Sequence, residues 1–255
     1  MRFGACAGGF DRYKMSVDAG CDFVELNAWQ LYRMPESEIA EGISLIREYG
    51  IKAEATNCLF PGEMVLSGST CDFKIVDEYT NRMFTILSGL GIKVSVFGSG
   101  GARNIPQGED ENECMERLCK SAYITAENAK KNGMIVAVEP LRKCETNVIN
   151  TVSEAAEFCK AVNHSSLMIN PDLYHMASED EPFENLARYI DKIAHIHIGD
   201  YNKREYPTYN DGCEYKKILG ILQNAGYQGR VSIEAATSDY GSDCRRALEI
   251  LRNNL

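Results

Sequence analysis

Histidine is scarce in this chain: 255 residues carry four. A site built from many imidazoles, such as a cluster of zinc ions, has too few ligands to draw on. Basic residues are short as well, 27 Lys and Arg against 37 Asp and Glu, for a formal charge of −10 and a pI near 5.0. That balance withholds the basic face which nucleic acid and anionic membrane both require. No apolar run approaches the ~18 residues of a membrane span. The ten cysteines contain no C-x-x-C pair. A zinc ribbon and a disulfide framework are thereby excluded, and the thiols read as free in a reducing cytosol. Met1 runs directly into an apolar stretch, so the expectation is no signal peptide and a cytoplasmic location.

Linkers and low-complexity tracts are also missing, and a repeated unit stands in their place. Five helix-to-strand joints share one grammar: AG-CDFVEL, YG-IKAEA, LG-IKVSV, NG-MIVAV and AG-YQGRVSIEA. In each, Gly stops a helix in a left-handed conformation and a strand follows at once or within a few residues. Strands are predicted over 2–6, 22–26, 51–56, 93–97, 134–139, 166–170, 193–198 and 230–234. Helices are predicted over 10–19, 35–49, 70–90, 110–132, 151–162, 182–190, 215–225 and 243–253. Eight strands alternating with eight helices, in a length close to the ~250 residues typical of the architecture, give one (β/α)8 TIM barrel spanning 1–255. A hydrophobic fraction of 44% supplies its core. A doubly wound sheet would need GSGGA as its phosphate loop, and that segment lacks the G-x-G-x-x-G spacing. The long connection 57–69, with Phe60, Met64 and Leu66, reads as a lid or a disordered loop.

The organising stretch is Met134–Thr151. Its apolar, β-branched run Met134–Val138 reads as a strand buried on both faces, and it ends on Glu139 followed by Pro140. In an α/β barrel, a charge at the carboxyl end of a strand lies where active sites are built. The next strand ends with Asp172, and His175 comes three residues later. The seventh carries His195 and His197 on one face, with His197 nearer the carboxyl end. The eighth ends at Glu234. Four consecutive strands thus place Glu139, Asp172, His197 and Glu234 on one rim. Three carboxylates so close repel one another unless a cation sits among them. Oxygen ligands with one imidazole suit Mn²⁺ best, then Mg²⁺ or Co²⁺, with Zn²⁺ also accommodated. His195 then reads as a core residue or one lying behind the ligand.

These residues resemble the sugar isomerase/epimerase family with the xylose isomerase-like barrel, and within it the ketose 3-epimerases. The likeness is carried by Glu139, Glu145 and Asn150-Thr151, by Asp172 and His175, by His195, His197, Gly199, Asp200 and Asn202, and by Glu234. It implies that Glu139, Asp172, His197 and Glu234 bind one divalent metal ion, and that Glu145 and His175 hold the C1–C2 end of a sugar. Six residues after the metal histidine the family has Arg; this chain has Lys203 there and Arg204 beside it. Both are expected to meet substrate; Trp29, just past the second strand, reads as a wall of the sugar pocket or as plain packing. Arg103 and Lys143 are further rim cations that read as solvated loop charges or as contacts for a phosphate. The same family includes inosose dehydratases, hydroxypyruvate isomerases and endonuclease IV, the last opposed here by the few histidines and the acidic charge.

The expected chemistry is metal-dependent epimerisation or isomerisation of a ketose or ketose phosphate through a metal-stabilised enediolate, with Glu139 and Glu234 as the acid–base pair. Dehydration of an inosose shares that enediolate, and a non-catalytic sugar-binding barrel is the reading from another class. The expected partner is a small sugar, with no nucleic acid and no membrane; a homo-oligomer is compatible.

Overall fold

The computed structural model describes all residues 1–255. Eight parallel strands form one sheet: β1 (Arg2–Gly8), β2 (Phe23–Asn27), β3 (Ala53–Asn57), β4 (Val94–Phe97), β5 (Ile135–Val138), β6 (Leu167–Ile169), β7 (His195–Ile198) and β8 (Arg230–Ile233). Their order is β6-β5-β4-β3-β2-β1-β8-β7. The two end strands approach each other through the bridges Ile169↔Ile193 and Asp172↔His197, so the sheet is a nearly closed TIM barrel with helices between its strands. β5 and β7 show why the runs are strands: a β-branched side chain packed on both faces has one preferred rotamer and fits the pleat.

The five glycines of the joints, Gly20, Gly50, Gly91, Gly133 and Gly226, all have positive φ, between 65° and 92°. Each ends a helix and turns the chain into the next strand without a Cβ penalty. Gly4 serves packing instead. A Cβ there would lie 2.7 Å from the ring of Phe23, which fills the amino-terminal end of the barrel between β1 and β2. The outer helices bury apolar faces on the sheet, and 60 buried residues make one core cluster. The helix Val152–Val162 begins with a full capping box, Thr151 and Glu154 exchanging hydrogen bonds with each other's backbone. No helix is long and apolar enough to cross a membrane.

The helices outnumber the expectation. Short ones over Ala28–Arg33, Gly100–Arg103 and Leu173–Ser178 follow strands β2, β4 and β6. Each is too short to leave a periodic signal, since one or two turns show at most two apolar contacts. The stretch expected as a single helix over 182–190 is a short helix, Asn185–Arg188, and a 3₁₀ turn, Ile190–Lys192.

Candidate functional site

Glu139 leaves the barrel one residue beyond β5, and Asp172 caps the helix Leu173–Ser178 beyond β6. His197 points inward from β7, and Glu234 follows β8 by one residue. The barrel brings the four together: one ligand atom from each lies within 4.8 Å of the others. His197 Nδ1 is 2.8 Å from Glu139 Oε1 and 3.2 Å from Glu234 Oε2. Asp172 Oδ1 accepts from the Tyr174 amide at 2.7 Å, whereas its Oδ2 is buried with no hydrogen-bond partner.

Two asparagines steady the flanking carboxylates. Asn57 Nδ2 donates to Glu234 Oε1 at 2.7 Å, and Asn170 Nδ2 donates to Glu139 Oε1 at 3.2 Å. The other oxygen of Glu139 rests against Gly98. A Cβ at that position would come within van der Waals exclusion of Glu139 Oε2, so the GSGGA segment owes its first glycine to the carboxylate.

Electrostatics follow from this crowding. Burial opposes a charge on His197, but Glu234, Glu25 and Glu139 outweigh it and hold its pKa well above the ordinary imidazole value. Burial and the Glu234 charge raise Asp172, against the pull of Arg204 and His197. Glu139 is also raised, by burial and by Glu234. Glu234 is lowered despite burial, because His197 and Arg204 both favour its charge. The set therefore favours positive charge, of which the proton on His197 supplies one unit against three carboxylates.

Glu139 and Glu234 open onto a cavity of about 350 Å³, lined also by Cys58, Phe60, Gly98, Glu145, His175 and Arg204. His175 is buried and its pKa is lowered by burial, with Arg204 adding to the effect against Glu139 and Glu145. Arg204 donates to His175 Nε2 at 3.3 Å, which leaves Nδ1 as the protonated nitrogen. That nitrogen lies 3.4 Å from Glu145 Oε2, and Glu145 also pairs with Arg142 at 2.9 Å. Arg204 reaches Glu234 Oε2 at 3.2 Å from a backbone with φ of 58°, a left-handed conformation that is uncommon for a side chain of its size.

Other expected contacts lie elsewhere. Lys203 is exposed and does not line the cavity. Trp29 stacks on Tyr32 at 5.9 Å with Arg33 over its ring, also outside the lining. Arg103 is fully buried, donating to the carbonyls of Phe97 and Ile149, and so presents no cation to the rim. Lys143 pairs with Glu179. The connection 57–69 is a packed wall: Leu59, Phe60 and Leu66 are buried, and Phe60 meets Phe97 edge-on at 5.1 Å. Residues that sequence reasoning passed over are Glu25, Asn57, Asn170 and Gly98. The signal for Glu25 was present in DFVEL, a carboxylate inside an otherwise apolar strand.

A family profile described as a xylose isomerase-like TIM barrel matches residues 14–254. Among characterised relatives, the L-ribulose 3-epimerase of Methylomonas sp. (strain DH-1) is 24% identical over 232 residues, 87% of this chain and 76% of its own. The ketose 3-epimerase of Arthrobacter globiformis is 25% identical over 240 residues, 92% of this chain and 81% of its own. The crystal structure of D-psicose 3-epimerase from Clostridium cellulolyticum H10 with D-tagatose superposes with a TM-score of 0.86 at 21% identity, covering 100% of this chain and 99% of that one. At that identity the superposition speaks for the fold.

Proposed function

The chain belongs to the xylose isomerase-like TIM-barrel family, and from that premise we propose that it is a divalent-metal-dependent sugar epimerase acting on a ketose or ketose phosphate, inverting the carbon next to the carbonyl. The observation that carries this reading is the convergence of Glu139, Asp172, His197 and Glu234 within 4.8 Å, beside a sugar-sized cavity that Glu139 and Glu234 line.

The four residues suit a divalent cation. Asp172 Oδ2 is a buried carboxylate oxygen with no hydrogen-bond donor; burial and Glu234 raise the pKa of Asp172, and the surrounding carboxylates raise that of His197 against burial. One imidazole among three carboxylates matches Mn²⁺ best. A cation held there supplies Lewis-acid stabilisation for negative charge developing on neighbouring substrate oxygens.

The rest of the chemistry belongs to side chains. Glu139 and Glu234 approach the cavity from β5 and β8, with Asp172 and His197 filling the arc between them. One carboxylate removes the proton from the carbon beside the carbonyl, and the other returns it from the opposite face. Asn170 and Asn57 each occupy one oxygen of these carboxylates, leaving the second oxygen of each for other partners. His175, whose Nδ1 has no hydrogen-bond partner and lies 3.4 Å from Glu145, orients the hydroxyl end of the sugar together with that carboxylate. Phe60 and Leu141 give the cavity its apolar side.

The test is a product screen with ketoses, ketose phosphates and inososes, run with Mn²⁺ in D₂O. The expected result is an epimer carrying solvent deuterium at the inverted carbon. An epimer without deuterium would mean hydride transfer or a retro-aldol step. Deuterium on the neighbouring carbon of an aldose would mean isomerisation, and a product lighter by one water would mean a lyase.

A further inference from the structure

Glu25 is the least expected charge in the protein. It lies on β2 between Val24 and Leu26, with zero exposure, inside the barrel and below the cavity. Each of its oxygens takes one imidazole. His197 Nε2 donates to Oε1 at 3.0 Å, and His195 Nε2 donates to Oε2 at 2.7 Å. The two rings stand 5.2 Å apart and nearly perpendicular, at 88°. His197 turns its other nitrogen, Nδ1, toward Glu139 and Glu234. A buried carboxylate is costly, and an apolar residue would continue the packing of Phe23, Val24 and Leu26 at no such cost.

We propose that Glu25 is a positioning residue for the metal centre: it holds the proton of His197 on Nε2 and so presents the lone pair of Nδ1 to the cation. The inference rests on the metal reading given above. The physical argument is the tautomer. A neutral imidazole has one N–H and one lone pair, and whichever nitrogen donates leaves the other free to ligate. The carboxylate fixes the N–H on Nε2, sets the plane of the ring and raises the basicity of Nδ1. His195 anchors the second oxygen, so Glu25 cannot rotate away. The pair of histidines on one face of β7 thus has a division of labour. His197 meets the cation, and His195 holds the group that aims His197.

The experiment uses the full chain and Zn²⁺ as a diamagnetic probe. In ¹⁵N–¹H spectra of the imidazoles, titrating Zn²⁺ into the wild-type protein is expected to shift Nδ1 of His197 while its Nε2 keeps a strongly hydrogen-bonded proton. Chelator competition is expected to show Glu25→Gln binding Zn²⁺ and Mn²⁺ roughly 10- to 100-fold more weakly, within the range for lost ligand support. Thermal unfolding of the ion-free variant reports whether it is folded. A folded Glu25→Gln protein with unchanged affinity overturns the proposal and leaves the metal reading standing. So does a wild-type spectrum in which Nε2 loses its proton to Zn²⁺, a result that needs no variant. Wild-type protein that takes up neither ion overturns the metal reading and this proposal with it.

Discussion

The two ends of the barrel treat carboxylates in opposite ways. At the amino-terminal end Glu54, on β3, receives both terminal nitrogens of Arg2 at 2.6 Å and Nε of Arg230 at 2.7 Å. Burial works against its charge, but the hydrogen bonds from Arg2 and Arg230 win and bring its pKa down to about 2. At the carboxyl end Glu139, Asp172 and Glu234 share His197 and Arg204, and Asp172 Oδ2 and Asn57 Oδ1 are buried without a hydrogen-bond partner. One end has two cations for one carboxylate, the other more carboxylates than cations. The first arrangement stabilises the fold. The second leaves negative charge in excess, as a site that receives a cation under the proposed function would. In TIM barrels this is the division between the stabilising face and the working face.

The sharpest way to test the contrast is Glu234→Gln. Turnover is expected to fall by at least roughly a hundredfold, the usual scale for losing general acid–base catalysis. The stability half of the test is Asp172→Asn: burial and the Glu234 charge hold Asp172 above its ordinary pKa, so removing its charge is expected to leave the melting temperature of the ion-free protein unchanged or to raise it. A clear drop in melting temperature would mean that the rim is built for stability after all. Gly98→Ala comes next. Its Cβ would collide with Glu139 Oε2, so the carboxylate must swing aside. A displacement near 1 Å is expected to slow turnover on the order of ten- to a hundredfold. A variant of full activity would show that Glu139 has freedom the packing denies it.

The opposite end gives a smaller effect of another kind. Glu54→Gln is expected to cost about 2–3 kcal/mol of stability, the low side for breaking a buried pair because Arg2 is half-exposed. Activity of the folded variant is expected to be unchanged. The sign of the pH dependence follows from the lowered pKa. Its stabilisation is fully present above the ordinary carboxyl value of 4.5 and is lost as pH falls through about 2. Melting curves of wild type and Glu54→Gln are therefore expected to converge between those two values. Curves that stay parallel would remove Glu54 from the acid response.

Much of the working end was legible in the sequence. A buried strand followed closely by a carboxylate is conspicuous; β5, β6 and β8 are so followed and β7 carries His197, so their order along the chain is also their order around the rim. The joint glycines were legible for a similar reason, since helix termination is a local requirement. Glu25 was legible as a carboxylate in an apolar strand but not as part of the site, because its partners His195 and His197 lie 170 and 172 residues away. Nothing within the DFVEL segment shows what a buried charge there would meet. Asn57 and Asn170 escaped for the same cause, looking like ordinary strand ends until β3, β5, β7 and β8 are closed into a barrel. Trp29 was expected at the cavity from its place just past β2. The short helix Ala28–Arg33 turns its ring onto Tyr32 instead.

The smallest expected effect concerns Lys203, and it sharpens the comparison by a null result. Sequence spacing put Lys203 where the family has Arg, with Arg204 one residue late. The backbone settles which side chain enters the cavity. Arg204 adopts a left-handed φ of 58°, and its guanidinium lies 4.9 Å from the centre of the Tyr174 ring while bonding Glu234 and His175. Lys203 keeps its amide on Asp200 and its side chain in solvent. A solvated lysine away from such contacts changes stability by no more than about 0.5 kcal/mol when removed. Lys203→Ala is therefore expected to match wild type in melting temperature, and in KM and kcat with the substrate found by the product screen. Arg204→Ala, which strips the cavity of its one lining cation, is expected to raise KM. If Lys203→Ala raised KM as much as Arg204→Ala, substrate contact would return to position 203, and the carboxyl end would hold more positive charge than its geometry assigns to it.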